Sequence, residues 1–452
     1  MIKYYSTNHN SELVSFKEVL LKGQAPDKGL YMPNYIPEIS LTKIKAMKEL
    51  PYWEIAFAIT KEFLKDEIPE NDLKKITKAA YNYDVHLEEI SKKIYIMRLD
   101  QGPTVSFKDF AAGMMAKLME YFIKKERRDL LILVATSGDT GSAVANAFLG
   151  LENIKMVILF PLREVSERQR KQMTTLGENI IALAVDGKFD DCQALVKQAF
   201  SDSGLKHLNL SSANSINFGR LLPQVVYYFY AYSKLAKEGK EVIFSVPSGN
   251  FGNLMGGLIA KKMGLPVFKF IVAVNENDEF PKFLERGEYE AIKSSRNCLS
   301  NAMNVGHPSN LARLIDLYGG QMDENGEINK MPDMGLIKKD IFSVSISDEE
   351  TRATIKNVYQ KYKIILEPHG AVGWAGLERF SSQTKNSLLS ISLETAHPAK
   401  FPEELKKILD IEPELPESLK GLETKKEKFE NISSNYKNLK QFLQKEFSEF
   451  RF

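Results

Sequence analysis

Cysteine is almost missing. Cys192 and Cys298 are the only two in 452 residues, too few for a disulfide framework. The six histidines, at 9, 86, 207, 307, 369 and 397, never fall three or four residues apart, so the spacing of a zinc site is absent. Long apolar runs are lacking as well: stretches such as "VVYYFYAY" at 225–232 fall far short of the roughly 20 residues of a membrane span. Neither sign of charge dominates, since 61 Lys and Arg stand against 59 Asp and Glu for a net +2. That balance calls for neither nucleic acid nor an anionic membrane as partner. The opening "MIKYYSTNHN" has no charged-then-apolar signal profile, and a cytoplasmic protein is expected.

What is present is an ordinary globular composition, 43% hydrophobic and 27% charged, in a chain long enough for two or three domains. Residues 1 to about 90 read as mainly helical, with amphipathic stretches such as "YWEIAFAITKEFL" (52–64). From residue 130 the pattern changes to short apolar runs alternating with helical stretches. The runs are 130–136, 155–160, 180–185, 241–246 and 267–274. Alternation of this kind predicts parallel strands with helical crossovers, and ligands in such sheets sit at the carboxyl ends of the strands. Tyr436, Leu439, Leu443, Phe447 and Phe450 recur at helical steps in a charged background and predict a C-terminal helix that packs back on the body.

Four stretches carry chemistry. In "GPTVSFKDF" (102–110) Lys108 stands between Phe107 and Phe110 at the start of an apolar helical pattern. Desolvation of such an amine lowers its pKa and makes it a nucleophile, although a snorkelling surface lysine satisfies the same pattern. The loop "SVPSGNFGNLMGG" (245–257) leaves a strand and opens a helix, with Gly249 and Gly252 flanking Asn250 and Phe251. Its N–H groups and the helix dipole suit an oxyanion, and a purely geometric turn is the alternative. "VATSGDTGSAV" (134–144) supplies Thr136, Ser137 and Thr140, which suit a carboxylate or merely cap a helix. "SSANSINFGRLLPQ" (211–224) brings Asn214, Ser215, Asn217 and Arg220 within seven residues. That set suits a phosphate ester, with capping plus an exposed Arg as the alternative.

Taken together, "GPTVSFKDF", "TSGDTGSAVA", "NSINFGRLL", "SVPSGNFGN" and "TAHPAKF" resemble, in order and context, the threonine synthase family of pyridoxal-phosphate enzymes. The resemblance runs from near residue 1 to about 410, and "VSFKEVLLKGQAPDKGLYMP" (14–33) resembles the N-terminal extension of that family's longer branch. It implies an α/β protein of the tryptophan-synthase-β-like fold (fold type II). The expected division is a mainly helical N-terminal domain (1–90), a large cofactor-binding domain (91–105 and 215–412), a small mobile domain (106–214) and a helical tail (413–452).

The same resemblance implies that Lys108 is joined covalently to pyridoxal 5'-phosphate. Gly249, Asn250, Phe251, Gly252 and Asn253 would hold the cofactor's phosphate, Thr395 would face its pyridine nitrogen, and Asp139 would lie near its ring oxygen. Thr136, Ser137 and Thr140 would take the substrate carboxylate, and Asn214, Ser215 and Arg220 the phosphate of O-phospho-L-homoserine. Glu367 would lie near the cofactor. The implied activity is conversion of that substrate and water to L-threonine and phosphate, the last step of threonine biosynthesis. A serine or threonine dehydratase of the same fold and an inactive ligand-binding relative are the alternatives. A small-molecule substrate is the expected partner, with no nucleic acid and no membrane, for a monomer or homodimer.

Overall fold

The computed structural model describes residues 1–136, 138–384 and 387–448, so Ser137 and Phe450 lie outside the described residues. In chain order the strands are β1 (Tyr4–Ser6), β2 (Tyr31–Pro33), β3 (His86–Ser91), β4 (Ile94–Arg98), β5 (Leu130–Ala135), β6 (Ile154–Pro161), β7 (Ile180–Asp186) and β8 (Leu210–Ser211). Then follow β9 (Val242–Pro247), β10 (Val267–Val274), β11 (Gln321–Met322), β12 (Ile328–Lys330), β13 (Ile341–Ser345), β14 (Leu389–Glu394) and β15 (Glu430–Ser433). All five runs read as strands from the sequence form them, as β5, β6, β7, β9 and β10.

These five divide between two sheets. A six-stranded sheet has the order β13-β10-β9-β14-β4-β3 and is parallel except for β3, which pairs antiparallel with β4. A five-stranded sheet, β15-β7-β6-β5-β8, is parallel throughout. Strands covered on both faces have no polar side to show, which is why "LLILVA" of β5 is buried at every position. Its side chains still alternate: Leu130, Ile132 and Val134 enter the main core, whereas Leu131, Leu133 and Ala135 enter a second one with Cys192 and Leu195.

Two features depart from the sequence reading. β3 and β4 were not anticipated, and β3 spans the expected boundary at residue 90. The N-terminal segment packs directly on the rest: Tyr4 lies edge-on against Phe218 at 5.1 Å, Tyr52 against Phe110 at 5.1 Å, and all four belong to the main core. The tail is not only helical. It contributes β15 to the edge of the five-stranded sheet and then the helix Tyr436–Glu446, whose Leu439 and Leu443, followed by Phe447, complete the second core. No helix among the described residues is long and apolar enough to cross a membrane.

Candidate active site

The chemistry-bearing stretches all follow the carboxyl ends of strands, as an open α/β sheet requires. β4 leads to Lys108, β5 to Asp139, β8 to Asn214, β9 to the Gly249 loop and β14 to Thr395.

The turn before Lys108 is folded by Asp109. Its carboxylate accepts hydrogen bonds from Thr104 N at 2.9 Å, Thr104 Oγ1 at 2.6 Å and Ser106 N at 3.3 Å. Val105 is held at φ 53°, a left-handed conformation that a β-branched residue adopts only under constraint. The constraint includes pairing to the loop after β14: His397 N donates to Val105 O at 3.0 Å and Phe107 N to Thr395 O at 2.9 Å. Lys108 thus opens the helix Lys108–Glu126 directly beside Thr395.

Its side chain is 13% exposed, and Nζ sits 4.6 Å from the centroid of the Phe107 ring. Burial pushes its pKa down; Asp139 and Glu367 oppose that push, while Lys400 and Arg220 reinforce it. The side chain is therefore drawn into the fold rather than snorkelling to the surface.

Asp139, at the start of the helix Asp139–Phe148, places Oδ2 3.9 Å from Lys108 Nζ. Its Oδ1 lies 2.7 Å from Lys400 Nζ and accepts from Gln169 Nε2 at 3.0 Å. Burial alone would raise its pKa, but Lys400 and then Lys108 hold it well below the ordinary carboxylate range. In the same loop the Thr136 hydroxyl is spent internally, accepting from Gly138 N at 3.0 Å and Gly141 N at 2.8 Å. Thr136 thus shapes the loop, while Thr140 at the start of the helix is half-buried.

The loop after β9 has the form of an anion cup. Phe251 adopts φ 61°, its ring packs against Phe280 at 4.8 Å, and no side chain caps the helix Gly252–Lys262 that follows. A Cβ on Gly249 would stand 2.8 Å from Met303 Cα and 2.9 Å from Ala302 O, so only glycine fits there. The Asn253 side chain is engaged within the loop: its amide donates to Pro247 O at 2.8 Å and its oxygen accepts from Leu254 N at 3.0 Å. That side chain closes the loop. Asn250 likewise joins loops, since its Nδ2 donates to Ser215 Oγ at 2.6 Å.

Ser215 therefore stands at the cup. Asn214 Nδ2 donates to Ala135 O at 3.2 Å, whereas its Oδ1 is buried without a hydrogen-bond partner. Arg220, 4% exposed, donates to Ala213 O at 2.7 Å and leaves Nε without a partner. Burial works against its charge, and Asp109 is the carboxylate that supports it. Asn217, in contrast, is structural: it bonds Leu20 O at 2.8 Å and Ser212 O at 3.0 Å.

Thr395 Oγ1 donates to Glu367 Oε1 at 3.2 Å. Glu367, fully buried, also accepts from Gly370 N at 2.8 Å and from the His369 backbone and ring. Behind it, burial and Glu367 together push Glu394 well above the usual carboxylate range, opposed by Arg98 at 3.6 Å.

Sequence reasoning missed Lys400, Gln169 and Arg313. Arg313 is fully buried and holds Ser215 O at 3.1 Å and Tyr31 O at 3.1 Å, tying the N-terminal segment to the Ser215 loop. Lys400 lies inside the quoted "TAHPAKF", but nothing local in sequence marks a lysine as buried.

Comparison with known proteins gives matching descriptions from residue 3 to residue 443. Residues 82–391 match the family "Pyridoxal-phosphate dependent enzyme", residues 3–81 "Threonine synthase N terminus", and residues 370–443 "Threonine synthase, C-terminal". The chain is 42% identical to threonine synthase of Haemophilus influenzae over 92% of this chain and 93% of that one. It is 40% identical to the Escherichia coli threonine synthase over 92% and 94%. Among solved structures, the pyridoxal-phosphate-bound threonine synthase of Brucella melitensis superposes with a TM-score of 0.92 at 35% identity, covering 98% of this chain and 99% of that chain. The tomato (Solanum lycopersicum) threonine deaminase isoform 2 reaches 0.55 at 17% identity, covering 86% and 96%, a likeness of fold alone.

Proposed function

The chain belongs to the threonine synthase family of pyridoxal-phosphate dependent enzymes, and from that premise we propose that it converts O-phospho-L-homoserine and water to L-threonine and phosphate. The single observation that carries the reading on this chain's own residues is a desolvated amine, Lys108, within reach of the Arg220 charge, on a loop that the Asn250–Ser215 hydrogen bond ties to the Gly249–Gly252 cup.

The donor set fits pyridoxal phosphate. The uncapped helix N-terminus at Gly252 and the glycine-only position 249 suit its phosphate, with Asn250, Phe251 and Asn253 fixing the cup's shape. Lys108 suits its aldehyde, Thr395 its ring nitrogen, and Asp139 the neighbourhood of its ring oxygen. When bound, the cofactor supplies an electron-withdrawing ring that lets a carbon–hydrogen bond beside an amine break.

The rest falls to the protein. The Lys108 amine, its proton affinity lowered by burial, takes the substrate's α-proton and returns protons to carbon within its reach. Arg220, with an unpaired buried Nε, grips the substrate phosphate together with Asn214 and Ser215 and stabilises charge as that phosphate departs. Thr140, Ser137 and the adjacent backbone receive the substrate carboxylate at the helix N-terminus. Thr395, its hydroxyl hydrogen directed to Glu367, presents lone pairs where a carboxylate would present charge. The five-stranded sheet, with residues 106–214, closes over the substrate and keeps stray water out. A net charge of +2 fits a cytoplasmic enzyme, acting as a monomer or homodimer.

The test is an assay of the purified enzyme with pyridoxal phosphate. Phosphate and threonine should appear in equal amounts from O-phospho-L-homoserine. Ammonia released from threonine or serine, with no phosphate from phosphohomoserine, would establish the dehydratase reading instead.

A further inference from the structure

Lys400 has no part in the reaction as proposed, yet its side chain is 0% exposed. Lysines are among the residues least often fully buried, and those that are have a partner. Here Nζ lies 2.7 Å from Asp139 Oδ1 and donates to Thr104 O at 3.1 Å. The other oxygen of the same carboxylate is 3.9 Å from Lys108 Nζ. One anion thus stands between two amines, and the closer amine is not the nucleophile. Gln169 Nε2, at 3.0 Å from Oδ1, fixes the carboxylate on the Lys400 side.

The remaining charged groups that face this trio come from three parts of the chain. Asp109 lies on the Lys108 helix and acts on Lys400. His369 and Glu367 come from the segment after residue 366 and act on Asp139 and Lys108, respectively. Arg220 lies on the loop after β8 and acts on Lys108. Among the described residues, apart from Asp109, which is already occupied by Thr104 and Ser106, Glu367 is the second carboxylate that acts on Lys108. That one is engaged by Gly370, His369 and Thr395.

We infer that Lys400 is a positioning residue that claims the Asp139 carboxylate and so leaves Lys108 without a counter-ion able to hold its proton. The inference rests on Lys108 being the cofactor-linked base. With Lys400 in place, a proton on Lys108 meets a second cation across a shared anion. Without it, Asp139 turns to Lys108, and the base is retained in its protonated form to higher pH.

The test uses the holoenzyme of Lys400→Met, Lys400→Arg, Asp139→Asn and the Asp139→Asn/Lys400→Met double variant. Two quantities are read against pH: the cofactor's visible absorbance without substrate, and kcat with O-phospho-L-homoserine. Lys400→Met should lower kcat at pH 7 by about 100-fold and move both the absorbance midpoint and the acid limb upward by about one pH unit or more. Lys400→Arg should restore most of both. In the Asp139→Asn background, adding Lys400→Met should move both by less than half as much, because only the direct repulsion between the two amines is left once the carboxylate is gone.

A uniform loss of kcat with both pH profiles in their wild-type positions would overturn the inference, since that is what a merely structural lysine gives. So would the same shift appearing in the Asp139→Asn background. If the single Met variant does not fold, Lys400→Gln, which removes the charge but leaves an amide beside the Asp139 carboxylate, is read in its place against the same two outcomes. Failure of the underlying reading looks different: the wild type then releases no phosphate, whatever the absorbance titration shows.

Discussion

Arg220 illustrates how much one buried side chain can be asked to do. Among the described residues its guanidinium makes one hydrogen bond, to Ala213 O, and keeps Nε buried without a partner, which suits the proposed phosphate contact. Hydrogen bonds to charged groups contribute about 1.5–3 kcal/mol, so Arg220→Ala should lower kcat/KM for phosphohomoserine by roughly 10- to 100-fold. Cofactor content measured by absorbance should stay at the wild-type level; unchanged kinetics would remove Arg220 from the phosphate site. Asp139 makes a prediction in pH. Its folded pKa is depressed, so the stability it contributes is complete above the unfolded carboxylate value and is lost as pH falls through the folded one. The urea midpoint of the wild type should exceed that of Asp139→Asn by a constant margin above about pH 5, and the margin should narrow below about pH 4. A margin independent of pH would mean that the carboxylate's charge is not what matters. At this scale the sequence was informative where a residue sits in a quoted motif with a chemical reason, as Lys108, Ser215 and Arg220 do. It was silent on Lys400, Gln169 and Arg313, because their burial comes from segments that meet only in the fold.

Among the elements, the strand-to-helix loop at Gly249 is the most constrained. A methyl group there meets backbone atoms of Met303 and Ala302, which cannot swing aside as a side chain can. Gly249→Ala should cost about 1–3 kcal/mol, the usual range for overpacking, seen as a lower Tm and as weaker retention of pyridoxal phosphate on dialysis. Normal retention would show that the cup tolerates the shift and is not shaped for the cofactor's phosphate. The apolar strands β5, β6, β7, β9 and β10 were legible because burial on both faces leaves a continuous hydrophobic run. β3 and β15 were not. "HLEEIS" is largely polar and nowhere fully buried, and "ENIS" is four residues with no buried position; both lie at sheet edges, where little in the sequence separates a strand from a loop.

For the whole molecule, the tail is the part whose role the structure changes most. β15 covers the edge of β7, and Leu439, Leu443 and Phe447 share the core that Cys192 and Leu195 of the helix Phe189–Ser201 form against the sheet. Ion pairs reinforce the attachment, with Arg170 Nε 2.9 Å from Glu427 and Lys440 Nζ 2.7 Å from Asp202. Burial of each large apolar side chain contributes about 1.5–3 kcal/mol. A chain ending at residue 428 should therefore have a lower Tm and associate through the bared β7 edge, as light scattering would register. A truncated chain as stable and monodisperse as the full one would assign the tail no part in the small sheet. The sequence had marked the tail's apolar spacing without showing which sheet receives it, since spacing specifies a face and not its partner. The account as a whole turns on which amine carries the cofactor, and the structure offers two in contact with one carboxylate. Reduction of the holoenzyme with borohydride, followed by peptide mass mapping, measures this directly: the tag is expected on Lys108, and a tag on Lys400 or on any other lysine would contradict the account.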